Sequence, residues 1–315
     1  MLTETSQTLI FHLFIALSSL VILAKSADMV VFGISSYAKK LGISDYLIGF
    51  LVVSIGTAIP ELVASITGAM ESEGAIAFGT VFGSNIFKIP LMGLVILIAG
   101  RIKNTQNVAT GAPIVTLFIV NLPILLIIDG TLSRIDGFIL IIAFCIYIAR
   151  LWQGEGNLGK MEKDVRLKNI WKDGLIFTLA LAALLLSARY LVHSSIQISN
   201  ILNISPYIIG LIVIGVGASA PEVMVQLRSI FKRHQDIAFG NVIGSLVANS
   251  ALVLGITALI TPVYINPRIL IISSIFMVLG SIYSIYVLSK KEINMQHGTI
   301  LIALYIVFLI FEWIF

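Results

Sequence analysis

The 315-residue chain is 58% hydrophobic and only 11% charged, with a net charge of +4 and a mean hydropathy of +1.04. Soluble domains carry about a quarter charged residues, so this composition excludes a soluble enzyme and places the chain in a lipid bilayer. The basic excess does not mark a nucleic-acid partner, because the positive residues sit between apolar runs and form no patch.

A spanning helix needs roughly 20 apolar residues, and the polar breaks predict ten helices, over 8–36, 43–70, 75–99, 107–128, 135–152, 174–199, 205–230, 236–261, 268–289 and 298–315. The runs are too long and too helical in period for barrel strands. The first has no basic segment before it and is too long for a cleaved signal, so it reads as a spanning helix. The single Cys145 lies inside the fifth run, which excludes a disulfide framework and a cysteine metal cluster. His12, His193, His234 and His297 are scattered and suggest no metal site either. Between the fifth and sixth runs lies a polar, glycine-containing linker, 153–173, which divides the chain into halves 1–152 and 174–315.

Charge bias orients the helices. Fifteen basic residues follow runs one, three, five, seven and nine, among them Lys39, Lys40, Arg101, Lys103, Arg150 and Lys163. The opposite side has only Arg134 and Arg268. Both termini are therefore expected outside, with the central linker in the cytoplasm and the chain in the plasma (inner) membrane. Five runs per half is an odd number, so the second half enters the membrane upside down relative to the first. The predicted class is an all-α integral membrane protein of ten transmembrane helices, arranged as two inverted-topology five-helix repeats around a midplane site.

The repeat is visible residue by residue. Segment 43–88 matches 204–249 at a constant offset of 161, with no gap. Gly49 falls on Gly210, Gly56 on Gly217, Pro60 on Pro221 and Glu61 on Glu222, and IAFGTVFGS falls on IAFGNVIGS. Each copy places one Glu after a Pro in an apolar run, 23 residues before the serine of a Gly-Ser pair. A mid-bilayer carboxylate is costly unless it faces a cavity, a partner or an ion. The prolines remove a backbone donor and free carbonyls near Gly56/Thr57 and Gly217/Ala218; such carbonyls are tolerated at membrane depth only where they line a cavity or bind something. Two carboxylates plus freed carbonyls form the all-oxygen ligand set that hard cations such as Ca²⁺ prefer. Gly79/Gly83 and Gly240/Gly244 are four apart, a small-residue face that permits close helix contact. Ser84 and Ser245 continue that face, and one turn later it carries Lys88 and Asn249.

These residues carry a resemblance. GTAIPELVAS and GASAPEVMVQ, each followed by its Gly-Ser pair, resemble the two alpha repeats of the sodium/calcium exchangers, in the prokaryotic branch of the cation/calcium exchanger superfamily. The resemblance implies an antiporter with Glu61 and Glu222 as central ligands of the metal, and with Thr57 and Ala218 lending backbone carbonyls. It implies hydroxyls from Ser84, Ser219 and Ser245 at flanking sodium sites, and sliding of the first and sixth helices against the rest during alternating access. The copies depart from the family pattern at Ala58 and Ala218, which replace hydroxyl residues. They depart again at Lys88, where an amide or acid is usual, and at Asn249, where an acid is common. Glu61, Glu222 and Lys88 sum to −1 if all are ionised. Lys88 is accordingly expected to act as a tethered cation within the ion-binding set, changing the stoichiometry or coupling transport to H⁺.

The expected function is Na⁺/Ca²⁺ exchange, with H⁺-coupled or altered-stoichiometry exchange as the alternative. A channel or a non-transporting membrane protein is the rival class. No enzymatic activity and no cofactor are expected. The expected partners are inorganic cations and the lipid bilayer, with no nucleic acid and no obligate protein partner. The linker is too short for a regulatory Ca²⁺-binding domain.

Overall fold

In the computed structural model the described residues are 4–40, 58–100, 102–103, 113–154, 170–219, 222–223, 226, 235–265, 267–290 and 292–314. They form ten helical segments. The first half supplies α1 (Glu4–Lys40), α2 (Ile59–Met70), α3 (Gly74–Ala99), α4 (Pro113–Leu126) and α5 (Arg134–Gly154). The second supplies α6 (Ile170–Leu202), α7 (Pro206–Ala218), α8 (235–260), α9 (Pro267–Leu288) and α10 (Met295–Ile314). Six of the ten contain a stretch long and apolar enough to cross a membrane, and α2, α4 and α7 are shorter apolar helices. Large side chains such as Phe14, Leu17, Ile114, Ile135 and Leu179 point outward on these helices. A contiguous apolar exterior of this kind suits lipid rather than water.

The predicted spans match these helices within a few residues wherever both can be compared, except that the span 205–230 is interrupted: α7 ends at Ala218, and helical backbone resumes at Glu222. Helix α5 continues to Gly154 and α6 begins at Ile170, so both helices reach into the segment read as linker. Residues 43–57 of the first repeat copy, including Thr57, lie outside the described residues, as do Pro221 and 155–169.

The long helices α1 and α6 pack side by side along small and branched residues, Ala16 and Leu23 against Ala180, Leu184, Ala188 and Leu191. Helix α3 runs through the centre, buried over most of its length. It meets α10 where Gly93 and Gly298 face each other; a Cβ on Gly298 would lie 2.6 Å from the Gly93 carbonyl oxygen. Helices α5 and α8 meet the same way through Gly137 and Gly255, with 2.8 Å between a Gly137 Cβ and the Gly255 oxygen. Gly137 and Gly298 are 161 apart, while their partners Gly255 and Gly93 are 162 apart, so the two contacts correspond to within one residue.

Four two-residue strands, absent from the predicted pattern, repeat this reciprocity. They are β1 (Ile102–Lys103), β2 (Thr131–Leu132), β3 (Val263–Tyr264) and β4 (Glu292–Ile293). β1 pairs antiparallel with β4, Ile102 opposite Ile293 and Lys103 opposite Glu292. β2 pairs with β3, Leu132 opposite Val263 and Thr131 opposite Tyr264. Moving every residue of the first pairing to its equivalent 161 positions away generates the second, register included. Each half thus lends the other one strand. The repeat is one of contacts between the halves as well as of sequence.

Candidate ion-binding site

The site is assembled where α2 starts, α7 stops and α3 and α8 cross them. Helix α2 begins at Ile59 with Ala58 as its cap, and Pro60 sits in its first turn. Proline is tolerated there because the first backbone donors of a helix lack an internal partner anyway. In the second copy α7 ends at Ala218, Ser219 caps it, and helical backbone resumes at Glu222. Both copies restart with the same bond: Leu62 N–H donates to the Ala58 carbonyl at 2.9 Å, and Val223 N–H to the Ser219 carbonyl at 3.1 Å. Among the described residues Pro60 therefore stands at the start of a helix rather than inside one. Each glutamate falls immediately after the break and is fully buried.

The glycine face of α3 brings the other wall close. A side chain on Gly79 would overlap the Tyr207 carbonyl, and one on Gly83 the Leu211 carbonyl. From the α7 side, a Cβ on Gly210 would lie 2.5 Å from the Ile76 oxygen and one on Gly215 2.7 Å from the Ser84 nitrogen. Backbone thus meets backbone, as the four-residue glycine spacing predicts. Of the matching pair in the second copy, Gly244 is buried in α8.

This contact delivers Ser84, next to Gly83, to the broken end of α7. Its hydroxyl donates to Glu61 Oε1 at 2.8 Å, lies 2.7 Å from Ser219 Oγ and accepts from Asn249 Nδ2 at 3.1 Å. Ser219 Oγ also lies 3.3 Å from Glu61 Oε1 and 2.9 Å from the Gly215 carbonyl. Four predicted site residues from four places in the chain thus form one network. Asn249 is the second residue of a π-helical stretch of α8, Ala248–Val253, that interrupts an otherwise regular helix; single π turns of this kind are frequent at functional sites.

The Glu222 side is built differently. Lys88 Nζ lies 3.2 Å from Glu222 Oε1, and both side chains are fully buried. The charges of Lys88, Glu61 and Glu222 act on one another. Ser245 is buried nearby on α8 and donates to the Val242 carbonyl at 3.2 Å. Ala218 is buried at the last residue of α7. Thr57 lies outside the described residues.

Acceptors outnumber donors here. Glu61 Oε2, both oxygens of Glu222, Asn85 Oδ1 and Asn249 Oδ1 are buried and make no hydrogen bond. Leaving a buried acceptor unmade costs about 1–3 kcal/mol, and more for a charged one. Among the described residues no third acidic, histidine or cysteine side chain joins the two glutamates in a metal-holding group. The arrangement is an oxygen-rich, donor-poor interior suited to a desolvated hard cation.

Sequence reasoning missed the bond from Asn85 Nδ2 to Ser250 Oγ, 2.8 Å long, which ties α3 to the π turn of α8 beside this network. The repeat hid it. Asn85 corresponds to Leu246 and Ser250 to Ile89, so neither appears in the pattern the two copies share. The available signal was two polar residues in deeply apolar runs, each one position from a candidate ligand.

Comparison with known proteins agrees with this architecture. The family profile described as "Sodium/calcium exchanger protein" matches residues 11–153 and 173–314. The inner membrane protein YrbG of Escherichia coli (strain K12) is 33% identical over 261 residues, covering 79% of each chain. The chain belongs to the sodium/calcium exchanger family. Another relative, sodium/calcium exchanger MaX1 of Methanosarcina acetivorans, is 28% identical over 94% of this chain and 97% of its own. Among solved structures, the sodium-calcium exchanger NCX_Mj superimposes with a TM-score of 0.67 at 26% identity, covering 96% of this chain and 99% of that one. The H⁺/Ca²⁺ exchanger CAX superimposes with a TM-score of 0.73 over 95% of this chain and 82% of that one; at 16% identity it shows the fold alone. This member of the exchanger family is thus an integral membrane protein of the cation exchanger fold.

Proposed function

We propose that the protein is a secondary-active antiporter that exchanges Ca²⁺ for Na⁺ by alternating access around Glu61 and Glu222. The observation that carries this reading is the buried cluster of unbonded oxygens at the two helix breaks, Glu61 Oε2 and Glu222 Oε2 among them. A soluble-type polar core would satisfy these atoms internally, whereas a carrier leaves them for its cargo. Ca²⁺ binds to Glu61 and Glu222 with help from the carbonyls of Thr57 and Ala218; Na⁺ sites draw on Ser84, Ser219, Ser245 and Asn249.

The ten helices form two halves of inverted topology. Fifteen basic residues on one side against two on the other support this, as do the reciprocal strand pairs and glycine contacts. Both termini lie outside and the segment between α5 and α6 is cytoplasmic. Sliding of the packed pair α1 and α6 over the other helices switches access.

Uptake of ⁴⁵Ca²⁺ into proteoliposomes under an imposed Na⁺ gradient tests the reading. Flux that follows the gradient and is lost in Glu61→Gln and Glu222→Gln is the expected result. Passive flux with no dependence on the gradient would identify a channel, and no flux at all a non-transporting protein. The buried Lys88 ammonium favours H⁺ as a second driving ion, because it lowers the negative charge left for Na⁺. The same vesicles with a pH gradient and no Na⁺ decide between the two.

A further inference from the structure

We infer that Lys88 is a tethered cation that fills one cation place of the site, so that the protein moves one fewer Na⁺ per Ca²⁺ than it would with a neutral residue there. This rests on the antiporter reading above and specifies its ion count.

Position carries the first part of the argument. Lys88 lies in the middle of α3, whose residues 76–86 and 88–93 are buried, with Ile86, Ile89 and Pro90 enclosed beside it. Lysines at helix ends reach the membrane surface along their stems, but this ammonium ends 3.2 Å from the Glu222 carboxylate and has no solvent exposure. It points into the site.

The other half of the molecule carries the second part. The repeat equivalent of Lys88 is Asn249, also fully buried, whose amide donates to Ser84 beside Glu61. The fold therefore accepts a neutral amide at this helix position, and the charge in the first copy is not needed to build the helix or its packing. Burying an ammonium is costly unless it is paired. Here its partner is a carboxylate with a further unbonded oxygen, and among the described residues no hydroxyl or carbonyl completes the ammonium's three donors. A structural ion pair would be expected to satisfy those donors. A group that must release its partner to an incoming ion should leave them open.

Charge fixes the consequence. With the ammonium in place the two carboxylates and Lys88 sum to −1. A Ca²⁺ on Glu222 and the Lys88 ammonium cannot share the same oxygen, so Ca²⁺ entry displaces Lys88 from Glu222. When Ca²⁺ leaves, the ammonium returns to the carboxylate ahead of any Na⁺, and one Na⁺ fewer is needed to neutralise the site.

The test is the Ca²⁺ ratio at which net ⁴⁵Ca²⁺ flux vanishes in proteoliposomes held at zero membrane potential under a tenfold Na⁺ gradient. Each coupled Na⁺ changes that ratio by about tenfold, the factor set by the gradient. Lys88→Asn is expected to shift the ratio by one such step, and the charge-retaining Lys88→Arg to keep the wild-type ratio. Lys88→Met, which keeps the stem and removes the charge, gives a second measurement should the asparagine variant fail to fold. Wild-type exchange with the same ratio in the neutral variants overturns the inference and leaves the antiporter reading standing. Absence of Na⁺-driven flux in wild type and variants overturns both.

Discussion

Gly215→Ala should loosen the α3–α7 contact and weaken the ion site together, although Gly215 offers no ligand. The added Cβ would lie 2.7 Å from the Ser84 nitrogen, 2.8 Å from the Thr80 oxygen and 2.9 Å from the Gly83 carbonyl carbon. All three are backbone atoms and cannot rotate away. Carbon contacts are comfortable from about 3.5 Å, so the helices must part by about 0.7 Å. Ser84 Oγ, now 2.7 Å from Ser219 Oγ at the end of α7, would then pass the usual hydrogen-bond limit of about 3.2 Å. Overpacking costs about 1–3 kcal/mol and the lost bond a further 0.5–1.5 or so. The expected result is a melting temperature lower by on the order of 5 °C and Ca²⁺ uptake reduced by about tenfold, the equivalent of about 1.4 kcal/mol at the site. Thermal unfolding in detergent and uptake in proteoliposomes measure the two. Gly68→Ala, whose Cβ would meet nothing closer than 3.3 Å, is the control and should lose less of both. Wild-type melting and uptake in Gly215→Ala would refute the claim that this contact sets the position of Ser84.

Three further outcomes follow from the geometry. Ser84→Ala removes the acceptor of Asn249 Nδ2 and a donor to Glu61; it should cost about 1–3 kcal/mol by thermal unfolding and raise the Ca²⁺ concentration for half-maximal uptake, with Ser84→Thr recovering part of the loss. Thr131→Cys with Tyr264→Cys places cysteines opposite each other in β2 and β3, where cross-strand Cβ atoms are about 4.5–5.5 Å apart; after cleavage between α5 and α6 the halves should stay joined on a non-reducing gel and separate on reduction. Asn249→Lys adds a second positive charge to the site and should abolish Ca²⁺ uptake, whereas Lys88→Asn/Asn249→Lys moves the charge to the other half and should restore it, both read as ⁴⁵Ca²⁺ flux.

Much of this molecule is legible in its sequence because the strongest signals are periodic or duplicated. The apolar runs give helix ends within a few residues. The 161-residue offset singles out Glu61, Glu222, Ser84 and Ser245, the family resemblance adds Ser219, and the described residues bring Ser84 and Ser219 to Glu61 within hydrogen-bond distance. What stayed hidden was whatever the two copies do not share or whatever depends on partners far along the chain. The Asn85–Ser250 bond joins non-equivalent positions 165 residues apart. The paired strands are two residues each, too short for an alternating pattern, and exist only because each half supplies the other's partner. The π turns at Ile209–Ile214 and Ala248–Val253 leave no mark in composition. The prolines read in the sequence as breaking the helix before each glutamate, and Pro60 sits in the first turn of α2, where it loses no bond.

The departures from symmetry are as informative as the symmetry. Two inverted halves built from one repeat would place equal chemistry around each glutamate. Instead, Glu61 is held by two hydroxyls and backed by an amide, while Glu222 faces an ammonium. The backbone around the two sites is shared down to the restart bonds at Leu62 and Val223, so the difference cannot come from the fold. It lies in two pairs of side chains, Lys88 against Asn249 and Ala58 against Ser219, which change charge and hydrogen bonding around each glutamate on a shared backbone.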